Sequence, residues 1–600
     1  MKYGRVLEIN LNTKSFRKYQ LEDDLINSYI GGSGIAARLL YDMTDVNTDP
    51  LGPDNVLIFA SGVFSGTAVP SSGRHAVVAK SPLTGIYGEA DAGGYWGTML
   101  RKAGYDVLVI KGCSEKPVYI WINNGDVEVR DACHLWGKDT FETDRLIKAE
   151  TNNNSVTATI GVAGENLALI ASIIHDGQDA RAAARCGLGA VMGSKKLKSI
   201  AVYGEMDISV FDKEGLRKNI SSLSKMIREN NLGNTEYGTA GYTEMSETIG
   251  DLPVKNWQQR TWKDVSMVGG DVLKQLNKKS FACGSCFVRC GRVVKSYFEE
   301  GVNTSGPEYE TVGILGANCF VNDINKICRG NEICNRYGID TISAGSIVAF
   351  AMELYQRGII TDDMIYPLNW GDGDAMCRLL EDMGNGVEGL PKVLSNGVKK
   401  AAEIIGCGAE KYAIHSKGLE FPAHDPRAMT SGMVGYATSN RGACHLQAFS
   451  HSYETGLTEP SLGVNGDYDR HSDNNKAKLV AVTQDLMCLY DSLKVCKFMT
   501  FGGVKVEHLL NWYQLVTGNN ITLDEFMEKG RNIFMVKRLY NQRLGISRKD
   551  ENIPERIKKE KLSGGAVNFE KMLNEYYDVR GFNRDGKIIN ADIYIKRNDA

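Results

Sequence analysis

Three cysteines stand in the stretch Cys283-Gly-Ser-Cys286-Phe-Val-Arg-Cys290. Their C-x2-C-x3-C spacing puts three soft thiolates within reach of one metal centre, and no histidine nearby completes the set. Three local sulfurs joined by a fourth from far along the chain suit a [4Fe–4S] cubane, so two distant segments would have to meet. A four-cysteine zinc site is the main competitor, although such sites usually show two C-x2-C pairs. The order is the reverse of the radical SAM signature, which is set aside. A cluster here would move single electrons, and the open question is to what.

The rest of the chain has to supply that answer. Six hundred residues exceed one hydrophobic core, so two to four domains are expected. A net charge of -3 argues against a nucleic-acid partner, which would require a basic surface. The 65 glycines, about 11% against a usual ~7%, imply many close backbone approaches. Fourteen cysteines scattered without small-domain spacing indicate a reducing compartment rather than a disulfide framework. The segment Met1-Lys2-Tyr3-Gly4-Arg5-Val6 lacks a signal-peptide core, and no apolar run approaches a membrane span. A soluble, cytoplasmic protein is expected.

The first ~205 residues read as strand-rich, with candidate strands at Val6–Leu11, Val56–Ala60, Val107–Ile110 and Lys198–Tyr203. Val118–Ile122, the turn Asn123-Asn124-Gly125-Asp126 and Val127–Val129 form a hairpin signal. Helical periodicity then appears over 215–229, 339–357, 391–405, about 475–500 and 524–542. Ser547–Lys561 is dense in charge and reads as a solvated segment. The expectation is an α+β protein: a β-rich unit over 1–205, then mainly helical units over 206–415 and 416–600.

Two glycine-rich loops, Glu89–Gly97 and Arg181–Lys195, could cradle phosphate, since glycine lets an anion approach the backbone. Neither fits a Walker or Rossmann pattern, and a tight turn is the commoner meaning. Two hexapeptides share a form: Asn335-Arg-Tyr-Gly-Ile339-Asp340 and Asp491-Ser-Leu-Lys494-Val495-Cys496. Asp340 is also a good helix N-cap in its own right. Cys496 is a candidate fourth sulfur. Glu308, Glu310 and His445 are acid–base candidates, although spacing alone does not make them catalytic.

Taken together, these motifs resemble the tungsten-containing aldehyde ferredoxin oxidoreductases over nearly the whole chain. The resemblance runs through Ile30–Gly34, Ser72-Gly73-Arg74, Lys80–Gly85, Ala103–Asp106, Gly161–Asn166, Gly189–Lys195, the cysteine triad, Gly306–Glu310 and Arg441–His445. It implies a metal held by two pterins, tungsten with molybdenum as the alternative, a magnesium ion bridging the pterin phosphates, and a [4Fe–4S] cluster on Cys283, Cys286, Cys290 and Cys496. Arg74 matches the arginine between cluster and pterin, and the carbonyls of Asp91 and Ala182 match the magnesium contacts. Gly93, Arg181 and Ala184 line the phosphates. Asn335, Ile339 and Asp340 serve one pterin, and Asp491, Val495 and Lys497 serve the other. Glu310 and His445 match the acid–base pair, with His445 hydrogen-bonding oxygen and Glu310 accepting a proton. The implied reaction oxidises a small aldehyde to the acid, passing electrons to ferredoxin or an iron–sulfur subunit. An oligomer is expected.

Several positions depart from the family pattern. Asn335 stands where an acid is common, Lys494 and Ala184 replace glycines, Gln447 replaces a lysine, and Asp91 replaces an asparagine. Arg329-Gly330-Asn331-Glu332 lacks the Glu-x-x-His pair that holds an intersubunit iron in some members, so no such iron is expected. Two other readings remain at this point: a non-catalytic electron-transfer or scaffold subunit, and a relative reducing a carboxylic acid or thioester. The intact Glu310 and His445 favour the aldehyde enzyme.

Overall fold

The computed structural model describes residues 3–559 and 567–595. Its N-terminal part contains strands β1 (Arg5–Asn10), β2 (Ser15–Gln20), β3 (Leu57–Ser61), β4 (His75–Lys80), β5 (Tyr87–Ala92), β6 (Val107–Lys111), β7 (Val118–Asn123), β8 (Asp126–Asp131), β9 (Val156–Thr159), β10 (Ile173–His175), β11 (Arg181–Ala183) and β12 (Leu197–Tyr203). They form two six-stranded sheets, ordered β2-β1-β6-β3-β4-β5 and β11-β10-β9-β12-β7-β8. One pair in each is parallel, β1 with β6 and β7 with β12; the remaining neighbours are antiparallel.

The period-two alternation of a strand explains why the central runs are apolar at every position. Leu7, Ile9, Leu57, Phe59, Val77, Leu108 and Ile110 pack against Ile120, Ile173, Ile200 and Val202 of the second sheet. The alternate residues Val6, Ile58, Val78, Val107 and Val109 join the core shared with the helical part. The central strands of the first sheet are therefore buried on both faces, while edge strand β2 is exposed. Between β7 and β8 the turn at Asn124 and Gly125 has positive φ at both residues (47° and 96°), matching the Asn-Gly signal.

Beyond residue 206 the chain is mainly helical, including Lys213–Glu229, Ile324–Tyr337, Thr341–Gln356, Lys476–Leu493 and Leu523–Arg543. The α+β class follows from this arrangement. Two expectations need correction. The helix over 391–405 is two helices, Leu390–Leu394 and Val398–Ile405, because Gly397 takes φ +86° between them. The charged stretch from Ser547 is not simply solvated: Glu551 is buried in a bidentate pair with Arg538 (2.7 and 3.0 Å), and Ile553 and Ile557 enter the core. Residues 560 and 561 of that stretch lie outside the described residues.

A small antiparallel sheet, Lys279–Phe281, Gly291–Lys295 and Asn303–Ser305, carries the cysteine triad in the loop between its first two strands. The end of helix Lys476–Leu493 rests against the N-terminal part. A Cβ on Gly32 would lie 2.7 Å from the Ser492 carbonyl oxygen, and one on Gly62 would lie 2.2 Å from that of Leu493. Gly34 N–H donates to Ser492 Oγ (3.2 Å). These glycines let the second hexapeptide seat against the sheets.

Candidate active site

The two glycine-rich segments are strand–turn–helix junctions. Strand β5 ends at Ala92, turns through Gly93 and Gly94, and enters helix Trp96–Lys102; β11 leads through Arg185–Gly187 into helix Leu188–Ser194. A Cβ on Gly93 would meet Cys283 Sγ at 2.8 Å, so only glycine admits the cysteine loop here. Gly94 has φ +89°, and its carbonyl accepts the Gly284 N–H (3.0 Å).

These junctions border a cavity of about 700 Å³, within the size range of cofactor sites. Its walls bring together the residues that the resemblance assigns to the cofactors and to the acid–base pair. They are Arg74, Asp91, Gly93, Arg181, Ala182 and Ala184 from the sheets, and Asn335, Ile339 and Asp340 from the first hexapeptide. The second hexapeptide and its next residue supply Asp491, Val495, Cys496 and Lys497. Cys283, Cys286 and Cys290, with Glu310 and His445, complete the set.

Ser71 ties Cys496 to the triad. Its N–H donates to the Ser285 carbonyl (2.9 Å), its own carbonyl accepts the Cys496 N–H (3.0 Å), and its hydroxyl meets Cys286 Sγ (3.4 Å). Among the described residues, no three of the sulfurs lie within 4.8 Å of one another. A single zinc ion, with Zn–S near ~2.3 Å, would draw them to about 3.8 Å apart. The spacing fits a larger polynuclear body. Burial pushes the Cys496 thiol up to about 11 against the pull of Arg74, and raises Cys283 and Cys290 as well. Such thiols need a metal's positive charge to ionise.

Cations line the same wall. Burial opposes the charge of Arg74, but Cys496, Asp91 and Cys283 hold its pKa up, and its Nη2 donates to the Asp91 carbonyl (3.3 Å). Arg181 donates to Glu308 (2.6 Å) and lies over the Phe281 ring at 4.4 Å. Among the described residues, the Nε atoms of Arg181 and Arg441 are buried without hydrogen-bond partners. Donors left open beside a large cavity fit an anionic, multiply hydrogen-bonded cofactor.

The hexapeptides differ in how they are engaged. Asp340 caps helix Thr341–Gln356, accepting from Ile342 N (3.1 Å) and Ser343 N (3.3 Å), and Arg185 Nε is 3.1 Å away. Asp491 accepts both bonds of Lys497 Nζ (2.7 and 2.8 Å). The Lys494 ammonium pairs with the Asp91 carboxylate, itself part of the cavity wall. Burial would raise the Asp91 carboxyl, but Lys494, Lys497 and Arg74 hold it well below the usual range. Glu89, Asp91 and Asp491 approach within 4.8 Å, yet Lys537, Lys494 and Lys497 already balance the three charges.

Glu310 sits in the short turn Tyr309–Thr311, which runs into a buried π-helical segment, Val312–Ala317. Such segments recur at functional sites. Glu308 is turned outward to Arg181, while Glu310 faces His445 Nε2 (3.4 Å) and His424 Nε2 (3.7 Å). Ala423 N–H donates to its other oxygen (2.7 Å). Burial raises the Glu310 pKa despite His424 and that N–H, while burial and His424 hold His445 well below the ordinary histidine value. The site therefore presents a carboxyl group of raised basicity beside a neutral imidazole.

His424, Asp251 and His451 were not anticipated. His424 Nδ1 lies 2.6 Å from Asp251 Oδ2, and its ring is 4.6 Å from that of His451. Burial works against His424, but Asp251 and Glu310 raise its pKa. The only local clue was a His-Asp pair bracketed by Pro422 and Pro426. The ligand atoms of Glu310, His424 and His445 lie within 4.8 Å of one another and could also accept a divalent ion.

Comparison with known proteins adds a wider frame. Residues 6–204 match the family description "Aldehyde ferredoxin oxidoreductase, N-terminal domain", and residues 218–593 match "Aldehyde ferredoxin oxidoreductase, domains 2 & 3". The chain is 37% identical to the tungsten-containing aldehyde ferredoxin oxidoreductases of Thermococcus kodakarensis and Pyrococcus furiosus, over 98% of this chain and 97% of each relative. Among solved structures, the active-site complex BamBC of benzoyl coenzyme A reductase, bound to 1,5-dienoyl-CoA, superposes with a TM-score of 0.87. That match is at 25% identity and covers 99% of this chain and 97% of that one.

Proposed function

Because the chain belongs to the aldehyde ferredoxin oxidoreductase family, we propose that it oxidises an aldehyde to the carboxylic acid and delivers the electrons to a ferredoxin. The balance is RCHO + H₂O → RCOOH + 2 e⁻ + 2 H⁺. The observation that carries this reading is a single cavity with Glu310 and His445 on one part of its wall and four cysteines on another.

When bound, a tungsten bis-pterin centre would supply a two-electron acceptor and a [4Fe–4S] cluster a one-electron carrier. Cys283, Cys286, Cys290 and Cys496 would hold the cluster. Arg74 would lie between cluster and pterin, and Gly93, Arg181 and Ala184 would line the phosphates, with magnesium on the carbonyls of Asp91 and Ala182. Asn335, Ile339 and Asp340 would contact one pterin, and Asp491, Val495 and Lys497 the other. The three units over 1–205, 206–415 and 416–600 would then each contribute to one cofactor cradle.

The protein's own groups would manage the protons. His445, neutral, donates a hydrogen bond to the substrate oxygen and polarises the carbonyl. Glu310, with its raised pKa, accepts the proton lost as oxygen is added. His424, anchored by Asp251, sets the field at Glu310 Oε1. Tyr309 donates to the Ala423 carbonyl (2.6 Å), fixing the N–H of that residue against Glu310.

Metal analysis of native protein should return tungsten or molybdenum with about four irons per chain, and aldehydes should reduce a viologen dye. Glu310→Gln should lower kcat/KM by ~10²–10⁴-fold with the metals retained. Zinc alone, or a fully active Glu310→Gln protein, would overturn this reading.

A further inference from the structure

The loop that carries the triad has a charge unlike the rest of the chain. From Val272 to Phe298 there are six lysines and arginines and no carboxylate, in a protein whose net charge is -3. The sheet geometry turns much of this charge outward. Lys278 and Lys279 are exposed at the start of the first strand, and Arg289 is exposed in the loop, its Nη2 3.5 Å from the Ser280 carbonyl. Helix Lys213–Glu229 adds exposed Arg228, whose guanidinium lies 4.3 Å from the centroid of the Phe287 ring, next to Cys286.

Among the described residues these four cations form no ion pair, whereas their neighbours do: Lys225 pairs with Glu229 (3.8 Å) and Lys274 with Glu236 (2.5 Å). Asp179 is close enough to be felt by Lys279 without pairing with it. Apolar surface sits in the same patch. Leu232 is 62% exposed, and Thr235, three residues on, donates to the Val288 carbonyl of the loop (2.8 Å). Ser285, between Cys283 and Cys286, is itself exposed.

We propose that Arg228, Lys278, Lys279 and Arg289, around Phe287 and Leu232, form the docking surface for an acidic electron-carrier protein. The inference rests on the proposed function for the identity of the carrier as a ferredoxin. The electron would leave at the point where the cysteine loop meets solvent. Unpaired cations on a protein of net negative charge select an acidic partner locally while the rest of the surface repels it, which gives orientation as well as rate. The apolar centre supplies short-range contact, and the small patch suits a complex that forms and releases at each one-electron transfer.

The test uses a purified acidic ferredoxin and the metal-loaded protein. Isothermal titration at low salt compares wild type with Arg228→Glu/Lys278→Glu/Lys279→Glu, and with Lys400→Glu, an exposed site on another helix. The triple variant should raise the Kd about 10-fold or more, within the range of electrostatic steering, and Lys400→Glu should leave it unchanged. Turnover gives a second readout: the ratio of ferredoxin reduction to reduction of a net-neutral viologen should fall by a similar factor, and its salt dependence should flatten. An unchanged Kd and ratio in the triple variant would overturn the docking surface, as would an equal loss in Lys400→Glu. If aldehydes reduce no dye while ferredoxin binding remains charge-dependent, the proposed reaction fails and the docking surface stands.

Discussion

The pair formed by Lys494 and Asp91 makes a sharp prediction, because it joins a buried ammonium to a largely buried carboxylate beside the cavity. Lys494 occupies a left-handed position (φ +64°) that glycine fills at no steric cost. Lys494→Gly relieves about 1 kcal/mol of backbone strain and leaves the Asp91 carboxylate without its closest cation. Losing one partner of a buried pair costs ~3–5 kcal/mol. Lys497 and Arg74 still act on Asp91, so the low end, about 3 kcal/mol, applies. The net loss is then about 2 kcal/mol, or roughly a 30-fold change in rate if it falls on unfolding. A cofactor-bearing chain of this size does not unfold in two states, so the unfolding rate in denaturant at one temperature is the proper assay. Asp91→Asn alone should also accelerate unfolding. The double variant, which carries no stranded charge, should return to within about 1 kcal/mol of wild type. Strictly additive effects, or a Lys494→Gly protein that unfolds no faster than wild type, would refute the coupling.

Further outcomes follow from the same geometry. Because burial raises Glu310, kcat/KM should fall on the acid side at a pH above the ordinary carboxylate range of about 4.3; His424→Asn, which removes the imidazole that offsets this rise, should move that limb further upward. Cys496→Ala should cost the cluster, read as lost iron and a bleached visible spectrum. His175 is buried and its pKa is lowered to about 4. Its folded value lies below its unfolded value of ~6.5, so its contribution is complete above pH 6.5 and is lost as pH falls toward 4. About 2 kcal/mol should therefore disappear between pH 6.5 and 5. The unfolding rate should rise over that interval, and less so in His175→Gln.

What could be read before the fold was known follows from the range of the interactions involved. The hairpin at Asn124-Gly125 was legible because its turn chemistry is local. The buried strands were legible because two covered faces demand unbroken apolar runs. The break at Gly397 was missed because a heptad-like pattern continues across it. Glu551 was misread because a dense charged run looks solvated until Arg538 is seen to meet it in the interior. At the site, the cysteines and Glu310 stood out through spacing and resemblance. His424 did not, since its meaning depends on Asp251, which lies 173 positions earlier. The ion pair between Lys494 and Asp91 was hidden for the same reason: two residues 403 positions apart are visible separately, and their contact is not.

The bridge through Ser71 also bears on the order in which the molecule is made. At ~5–20 residues per second, Cys290 leaves the ribosome roughly 10–40 s before Cys496. Throughout that interval the sheets and the triad exist without the segment that later seats against Gly32 and Gly62, so one side of the cavity stands open. Synthesis itself thus provides a loading period for a bulky cofactor. Arrival of residues 491–497 closes it, with Ser71 as the latch.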